Sequence, residues 1–254
     1  MKKILSAGAA FLITAATSAF AADMPVKAPA AAPMAPVAFN WTGCYVGGHA
    51  GYGWGRDRND FGSAVFDGDF LPELGPYNHD TRGGLGGGQI GCNYQFQNNI
   101  VLGIEGEFSA ANISGSLTTP EDVADPGTFT RFASRNRWDA DVAGRFGYAF
   151  GNSLIYGKAG VVWGNFRYSE THDDFPTTHA CFCTVDIDST RTGYILGAGW
   201  EYAFLHNWTV KVEYNYLGFD SHTIAYPSTG GSAQSFPVRD SINVVKVGVN
   251  YLFH

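Results

Sequence analysis

Charge is scarce in this chain. Only 15% of its 254 residues are charged, against about 25% in average usage. The formal net charge is −7, and no basic stripe is visible, which argues against nucleic acid as a partner. Long apolar runs are missing beyond residue 22, so no helix of about 20 apolar residues is available to cross a membrane. Catalytic signatures are missing too: there is no G-x-S-x-G, no H-E-x-x-H and no Cys-x-x-Cys. No enzyme, metal or cofactor is indicated. What the chain has in excess is glycine (33 residues) and aromatics (19 Phe, 13 Tyr and 6 Trp). So many aromatic side chains exclude a solvated, disordered polymer.

The first 21 residues read as an export signal. Lys2 and Lys3 supply the positive start, Ile4 to Ala16 are mostly apolar, and Ala19-Phe20-Ala21 is a small-residue cleavage site. Residues 22–38 are rich in Ala and Pro and suit an extended periplasmic linker. The folded part is expected over 39–254.

From Trp41 onward the dominant period is two. In Val245–Phe253 one face carries Val245, Val247, Val249, Tyr251 and Phe253, while Lys246, Gly248, Asn250 and Leu252 take the other. Trp208–Gly218 and Thr192–Phe204 alternate in the same way. Trp41–Gly55, Gly83–Phe96, Ile100–Ser116, Trp138–Phe150 and Ile155–Tyr168 complete eight predicted strands. The connections come in two kinds, in strict alternation. Gln97-Asn98-Asn99, Gly151-Asn152-Ser153 and Leu205-His206-Asn207 are short and rich in turn formers. Residues 56–82, 117–137, 169–191 and 219–237 are long and polar. In an up-and-down sheet this puts every short turn at one end and every long loop at the other.

That asymmetry predicts an all-β fold: an eight-stranded antiparallel up-and-down transmembrane β-barrel with three short periplasmic turns and four long extracellular loops. Closure is required because backbone polar groups find no water in hydrocarbon. Trp41, Tyr94, Phe96, Phe150, Trp208 and Phe253 lie near strand ends, where aromatic rings favour the headgroup level.

The inward rows of such a barrel carry Glu105, Glu107, Asp139, Asp141, Arg145, Lys158, Glu201, Lys211, Glu213 and Lys246. Both signs are present, with acids in excess. Two readings follow: a salt-bridged plug that fixes strand register, or a narrow, gated, cation-preferring pathway. Pairing is expected in either, since a lone buried charge is costly. Inward glycines (Gly47, Gly51, Gly147, Gly160, Gly197, Gly199 and Gly248) make room for these side chains. Gly86, Gly88 and Gly91 match G-x-G-x-x-G, but they sit inside a predicted strand with no helix after them, so no nucleotide site is read there.

Cys44 and Cys92 share the outward phase near the turn side of the first two strands. A cross-strand disulfide is expected; two unpaired thiols acting as small lipid-facing residues are the alternative. Cys181 and Cys183 fall in the third long loop beside His172 and His179. Their spacing matches no standard zinc pattern, and a Cys-x-Cys disulfide or a link to another molecule is the plainer reading. His49 is expected inward, with Asp139 and Asp141 near the outer end of the fourth strand, and no hydroxyl nucleophile stands out.

Several segments together resemble a known family. They are Asn40 to Gly48 (NWTGCYVGG), Gly86 to Tyr94 (GGGQIGCNY), Gly103 to Phe108 (GIEGEF), Arg145 to Tyr148 (RFGY), Gly199 to Tyr202 (GWEY) and Val212 to Tyr214 (VEY). The family is the small outer-membrane immunogenic, porin-like proteins of alphaproteobacteria, similar to the OmpA transmembrane domain. The resemblance covers roughly residues 39–254. It implies an eight-stranded barrel in the outer membrane of a Gram-negative envelope, a major surface antigen and no known catalysis. Two departures stand out: His254 follows the terminal aromatic Phe253, and Cys44 and Cys92 stand where aromatics are expected. The expected function is a structural, surface-exposed outer-membrane protein. A narrow porin-type channel is the alternative, and an outer-membrane lipid-modifying enzyme a third reading. Expected partners are outer-membrane lipids and lipopolysaccharide, the barrel-assembly machinery with periplasmic chaperones, and host or surface ligands at the loops. The row Val245, Val247, Val249, Tyr251 and Phe253 is the expected terminal insertion signal.

Overall fold

The computed structural model describes residues 39–59, 65–66, 69–70, 77–120, 129–173, 183–226 and 234–253. The chain divides into a unit of residues 1–37 and a unit of residues 38–254, and every described strand belongs to the second. The signal and linker readings, Cys181 and His254 lie outside the described residues, and Cys183 is described only as the first residue of a strand.

Eight strands close on themselves. They are β1 (Gly43–Asn59), β2 (Tyr77–Gln95), β3 (Ile100–Pro120), β4 (Phe129–Phe150), β5 (Ser153–Asp173), β6 (Cys183–Ala203), β7 (Trp208–Phe219) and β8 (Gln234–Phe253). Each pairs antiparallel with its sequence neighbour. β8 returns to β1 over a register running from Cys44 opposite Phe253 to Asn59 opposite Val238. No edge is left, which is what a spanning sheet needs. A short segment, His222–Tyr226, resumes the path of β7 and pairs with the start of β8. Val65–Phe66 and Asp69–Phe70 form a two-residue ladder of their own.

The short turns follow from their residues. Asn99 sits at φ 65° and Gly151 at φ 58°, a left-handed conformation that Asn and Gly tolerate. The backbone N–H of Phe96 reaches the Ile100 carbonyl at 2.8 Å and that of Asn99 reaches the Phe96 carbonyl at 3.0 Å, closing the first turn. Ser153 belongs to β5 rather than to the second turn.

Three expectations change. The strands run far beyond the alternation: β4 begins at Phe129, not Trp138; β6 at Cys183, not Thr192; and β8 at Gln234, not Val245. Much of each expected long loop is therefore ladder. Above the membrane the outer face meets water and the buried inner face includes polar residues such as Ser134, Asn136, Arg191 and Asp240, so hydropathy loses its period of two while the backbone hydrogen bonds continue. Trp41 does not sit at the headgroup level. It is 1% exposed inside the barrel, with its ring edge-on to Phe39 at 4.9 Å and its backbone N–H bonded to Gln95 Oε1 at 2.8 Å. Finally, β3 and β4 slip register between the pairs Ala110–Trp138 and Ile113–Asn136. On β4 the inward residues are Asp139, Asp141 and Arg145 below the slip, but Ser134 and Asn136 above it. A bulge re-aims side chains in this way.

The outward face is apolar. Ile90, Leu102, Ile104, Val142, Phe146, Ile155, Leu196, Val247 and their neighbours are exposed. One aromatic ring circles the turn end (Tyr94, Phe96, Tyr148, Phe150, Phe204, Trp208 and Phe253) and another the far end (Tyr52, Trp54, Phe108, Trp163, Tyr194 and Tyr214). Two such girdles about an apolar band mark the headgroup levels.

Candidate functional site

The barrel interior holds the chemistry. All ten charged residues named from the inward rows are buried in it. Following the strands from the turn end upward gives its layering. On β5, Leu154 and Tyr156 come first, then Lys158, then Val162 and Phe166; on β7, Lys211 and Glu213 precede Leu217 and Phe219. A lower apolar cluster therefore holds Trp41, Val101, Ala149, Leu154, Tyr156 and Ala203. An upper one holds Leu85, Ile113, Val162, Phe166, Ile195, Leu217, Phe219, Ile242 and Val244. The charged layer lies between them.

Three carboxylates, Glu105, Glu107 and Glu213, bring oxygens within 4.8 Å of one another. Three ammonium groups fill the space that a cation would take. Lys211 Nζ lies 3.1 Å from Glu105, 2.9 Å from Glu107 and 3.5 Å from Glu213. Lys158 Nζ lies 3.3 Å from Glu105, 3.0 Å from Glu107 and 3.0 Å from Glu213, with Asp141 at 3.7 Å. Lys246 Nζ bonds Glu107 and lies 3.4 Å from Glu213. Below them Arg145 donates to Glu201 Oε2 at 2.7 Å and stacks on the Tyr156 ring with 3.8 Å between guanidinium carbon and ring centre. Buried charges of this density are tolerable only when each finds several partners.

Neutral side chains complete the network. The Tyr45 hydroxyl donates to Glu105 and the Tyr156 hydroxyl to Glu213, each at 2.7 Å. Asn250 Nδ2 reaches Glu201 at 2.8 Å and Asn215 Nδ2 reaches Glu213 at 2.7 Å. Gln89 Nε2 donates to Asn250 Oδ1 at 2.7 Å. Asp139 accepts from Asn136 Nδ2 at 2.7 Å, a bond that spans the β4 bulge. Sequence reading puts Asn215 and Asn250 on the faces of Lys211 and Lys246 without giving them a role, and it misses Tyr45, Tyr156 and Gln89, as well as Arg191 and Asp240. Tyrosine scores as apolar and looks like a girdle residue, yet Tyr45 shares its parity with His49, and Tyr156 with Lys158; parity is the available signal.

His49 is buried between Gln89 Oε1 at 2.6 Å on Nδ1 and Ser109 Oγ at 2.8 Å on Nε2. Ser109 supplies a hydroxyl partner that the sequence does not single out. At the top of the upper apolar cluster a second polar group is buried. Asp240 bonds Arg191 and accepts from the Tyr168 hydroxyl at 2.6 Å. Among the described residues, a small cavity of about 10 Å³ lies between the charged and upper apolar layers, beside Asp139, Asp141 and Lys246. That is at most room for one water.

Glycine makes the packing possible at one telling place. A Cβ on Gly199 would stand 2.5 Å from the Tyr156 hydroxyl, so the ring lies directly over the glycine. Gly86, Gly88 and Gly91 pair with Ala50, Gly48 and Tyr45 in the β1–β2 ladder, where no phosphate cradle forms. Cys44 and Cys92 are opposite each other in that ladder and joined by a disulfide. Both are exposed on the outward face near the turn end. The terminal row of β8 also faces outward: Val245, Val247, Val249 and Phe253 are exposed and Tyr251 is half-buried.

Known proteins place this barrel. The chain is 34% identical over 257 residues to the 31 kDa outer-membrane immunogenic protein of Brucella melitensis, covering 100% of both chains. It is 30% identical over 223 residues to the 22 kDa outer membrane protein of Rhizobium leguminosarum, covering 87% of this chain and 82% of that one. Among solved structures, the outer membrane protease OmpT from Escherichia coli aligns at 11% identity with a TM-score of 0.49, over 85% of this chain and 99% of that one. The family model for the outer membrane protein beta-barrel domain matches residues 7–253. A closed sheet with an apolar exterior and a charged interior is the form that such a match requires, and the chain belongs to the outer membrane protein β-barrel family.

Proposed function

We propose that the protein is a closed structural barrel of the outer membrane that displays its long-loop end at the cell surface, and that it works without opening a pore. The observation that supports this reading is the lumen. A layer of interlocked lysines, an arginine and carboxylates is stacked between two apolar clusters. Eight strands give an interior just wide enough for side chains to fill, and here they fill it. The names of the relatives, outer-membrane immunogenic proteins, support surface display. The outward apolar row of β8 serves as the insertion signal read by the barrel-assembly machinery, and the long loops are where host or surface ligands would bind.

The channel reading draws its support from the acid excess, seven buried carboxylates against five buried cations among the described residues. Conduction would require Lys158 and Lys211, each bonded to three glutamates, to swing aside together. The Ser109–His49 pair is read as structural, because both residues are buried and both ring nitrogens of His49 already hold partners. No catalytic role is assigned to it. The cellular test compares a deletion strain with its parent. Loss of the protein should raise sensitivity to detergent and leave uptake of small solutes unchanged. Slower solute uptake with an intact detergent barrier would instead support the channel.

A further inference from the structure

The lysines of the described barrel, Lys158, Lys211 and Lys246, are all in the lumen, and its exposed arginines are all at the long-loop end. Five of these gather on one side of the outer surface. Arg82, Ser114, Arg135, Arg167 and Asp188 stand opposite one another in turn across β2 to β6. Arg131 and Arg137 flank Arg135 on β4. The β4 bulge makes this possible, since uninterrupted alternation from Asp139 would turn Arg135 and Arg137 into the lumen.

Asp186 and Asp188 face these five arginines, and Asp80, beside Arg82 on β2, is paired with Arg56. Asp188 takes two bonds from Arg167, at 2.9 and 2.8 Å, with Arg137 at 3.6 Å, and Asp186 lies one rung higher. The patch keeps a net positive charge in a protein of formal charge −7. Like charges directly opposite in a ladder repel, and Arg135 is directly opposite Arg167. Between Arg131, Arg135 and Arg167 lies an open cleft of about 420 Å³ whose walls include Ser114, Ser116 and Ser169.

Its height on the barrel identifies what it meets. Trp138 and Trp163, at the outer girdle, lie just below Arg135 and Arg167 on β4 and β5. Lower still, the outward face of β3 to β6 is apolar, with Phe108, Val142, Val161 and Tyr194 exposed. Cations above interfacial aromatics above an apolar face match one ligand, an anionic headgroup carrying acyl chains.

We propose that this face binds a phosphorylated glycolipid of the outer leaflet, lipopolysaccharide, through its lipid A phosphates. Arg131 and Arg135 contact phosphate, the cleft serines contact sugar hydroxyls, and the acyl chains pack on the apolar face below Trp138 and Trp163. Guanidinium forks suit phosphate oxygens. The proposal rests on the long-loop end facing outward and not on a closed lumen. The test reads lipid and not current, so the two readings fail separately.

Native mass spectrometry of the purified, folded protein decides it, with bisphosphorylated lipid A, phosphate-free lipid A, phosphatidylethanolamine and inorganic phosphate as probes. The protein should retain bisphosphorylated lipid A at least tenfold more tightly than the other three. The double variant Arg131→Gln/Arg135→Gln should lose about tenfold in affinity, and Arg56→Gln, outside the cleft, should lose nothing. Equal retention of phosphate-free lipid A, an unchanged double variant, or inorganic phosphate binding as tightly as lipid A would each overturn the proposal. The comparison of lipids on the unaltered protein stands even if the double variant fails to fold.

Discussion

Lys211 bridges three carboxylates with one ammonium group and is fully buried. Lys211→Met keeps most of the volume but removes one of the cations shared by Glu105, Glu107 and Glu213, leaving Lys158 and Lys246 to hold an uncompensated buried carboxylate, so it should destabilise the barrel by about 3–5 kcal/mol. Urea unfolding followed by the gel shift between folded and heated protein measures this. Adding Glu107→Gln to Lys211→Met should recover part of the loss, because coupled neighbours do not add. Gly199→Ala pushes a methyl group into the Tyr156 ring and should cost about 1–3 kcal/mol in the same assay. At the exposed end, the hydrogen bond from Arg167 holds the Asp188 carboxyl below the usual carboxylate range, with Arg137 assisting. A lowered folded pKa means that the pair's stabilisation is fully present above the ordinary Asp value of about 3.9 and is lost as pH falls through the lowered one. The NMR titration midpoint of Asp188 should therefore lie below that value and rise in Arg167→Gln; an unmoved midpoint would contradict the pairing. These residues also show how far the sequence reaches. Ten of the charged lumen positions follow from parity alone, while Arg191 and Asp240 lie where the alternation is no longer readable. Their hydrogen-bonding company does not, because which tyrosine or asparagine meets which glutamate depends on barrel stagger, and stagger has no trace in a linear pattern.

At the level of strands, register is what the sequence states best inside the membrane and worst outside it. Between Trp138 and Phe150 lipid on one side and lumen on the other force alternation. Between Phe129 and Arg137 water lies on the outer face, so the same ladder carries no hydropathy signal and reads as loop. The β4 bulge is equally hidden, since a one-residue slip shows only as a broken parity between two polar residues. The Cys44–Cys92 disulfide is legible because both phase and height can be counted from the adjoining turn. It joins strands already paired along their length. Replacing both cysteines by alanine should leave the barrel able to fold and lower its stability by about 2–4 kcal/mol, the typical contribution of such a cross-link. Urea midpoints with and without reductant check this, and an unchanged midpoint would mean that the bond adds nothing to the ladder.

At the scale of the molecule, the scarcity of charge and the surplus of aromatics describe a protein solvated by lipid. Its few charges are sorted: lysines into the lumen, exposed arginines to one end. The proposed sealed interior rests on that sorting: ammonium and carboxylate groups interlock where a pore would run, with apolar side chains above and below them. Single-molecule current across a planar bilayer, with the purified protein inserted at physiological salt, tests this most directly. The account predicts no stable open level in the native protein, with openings arising only when the charged layer is broken, as in Lys211→Gly. Steady, cation-preferring steps from the native protein would contradict it.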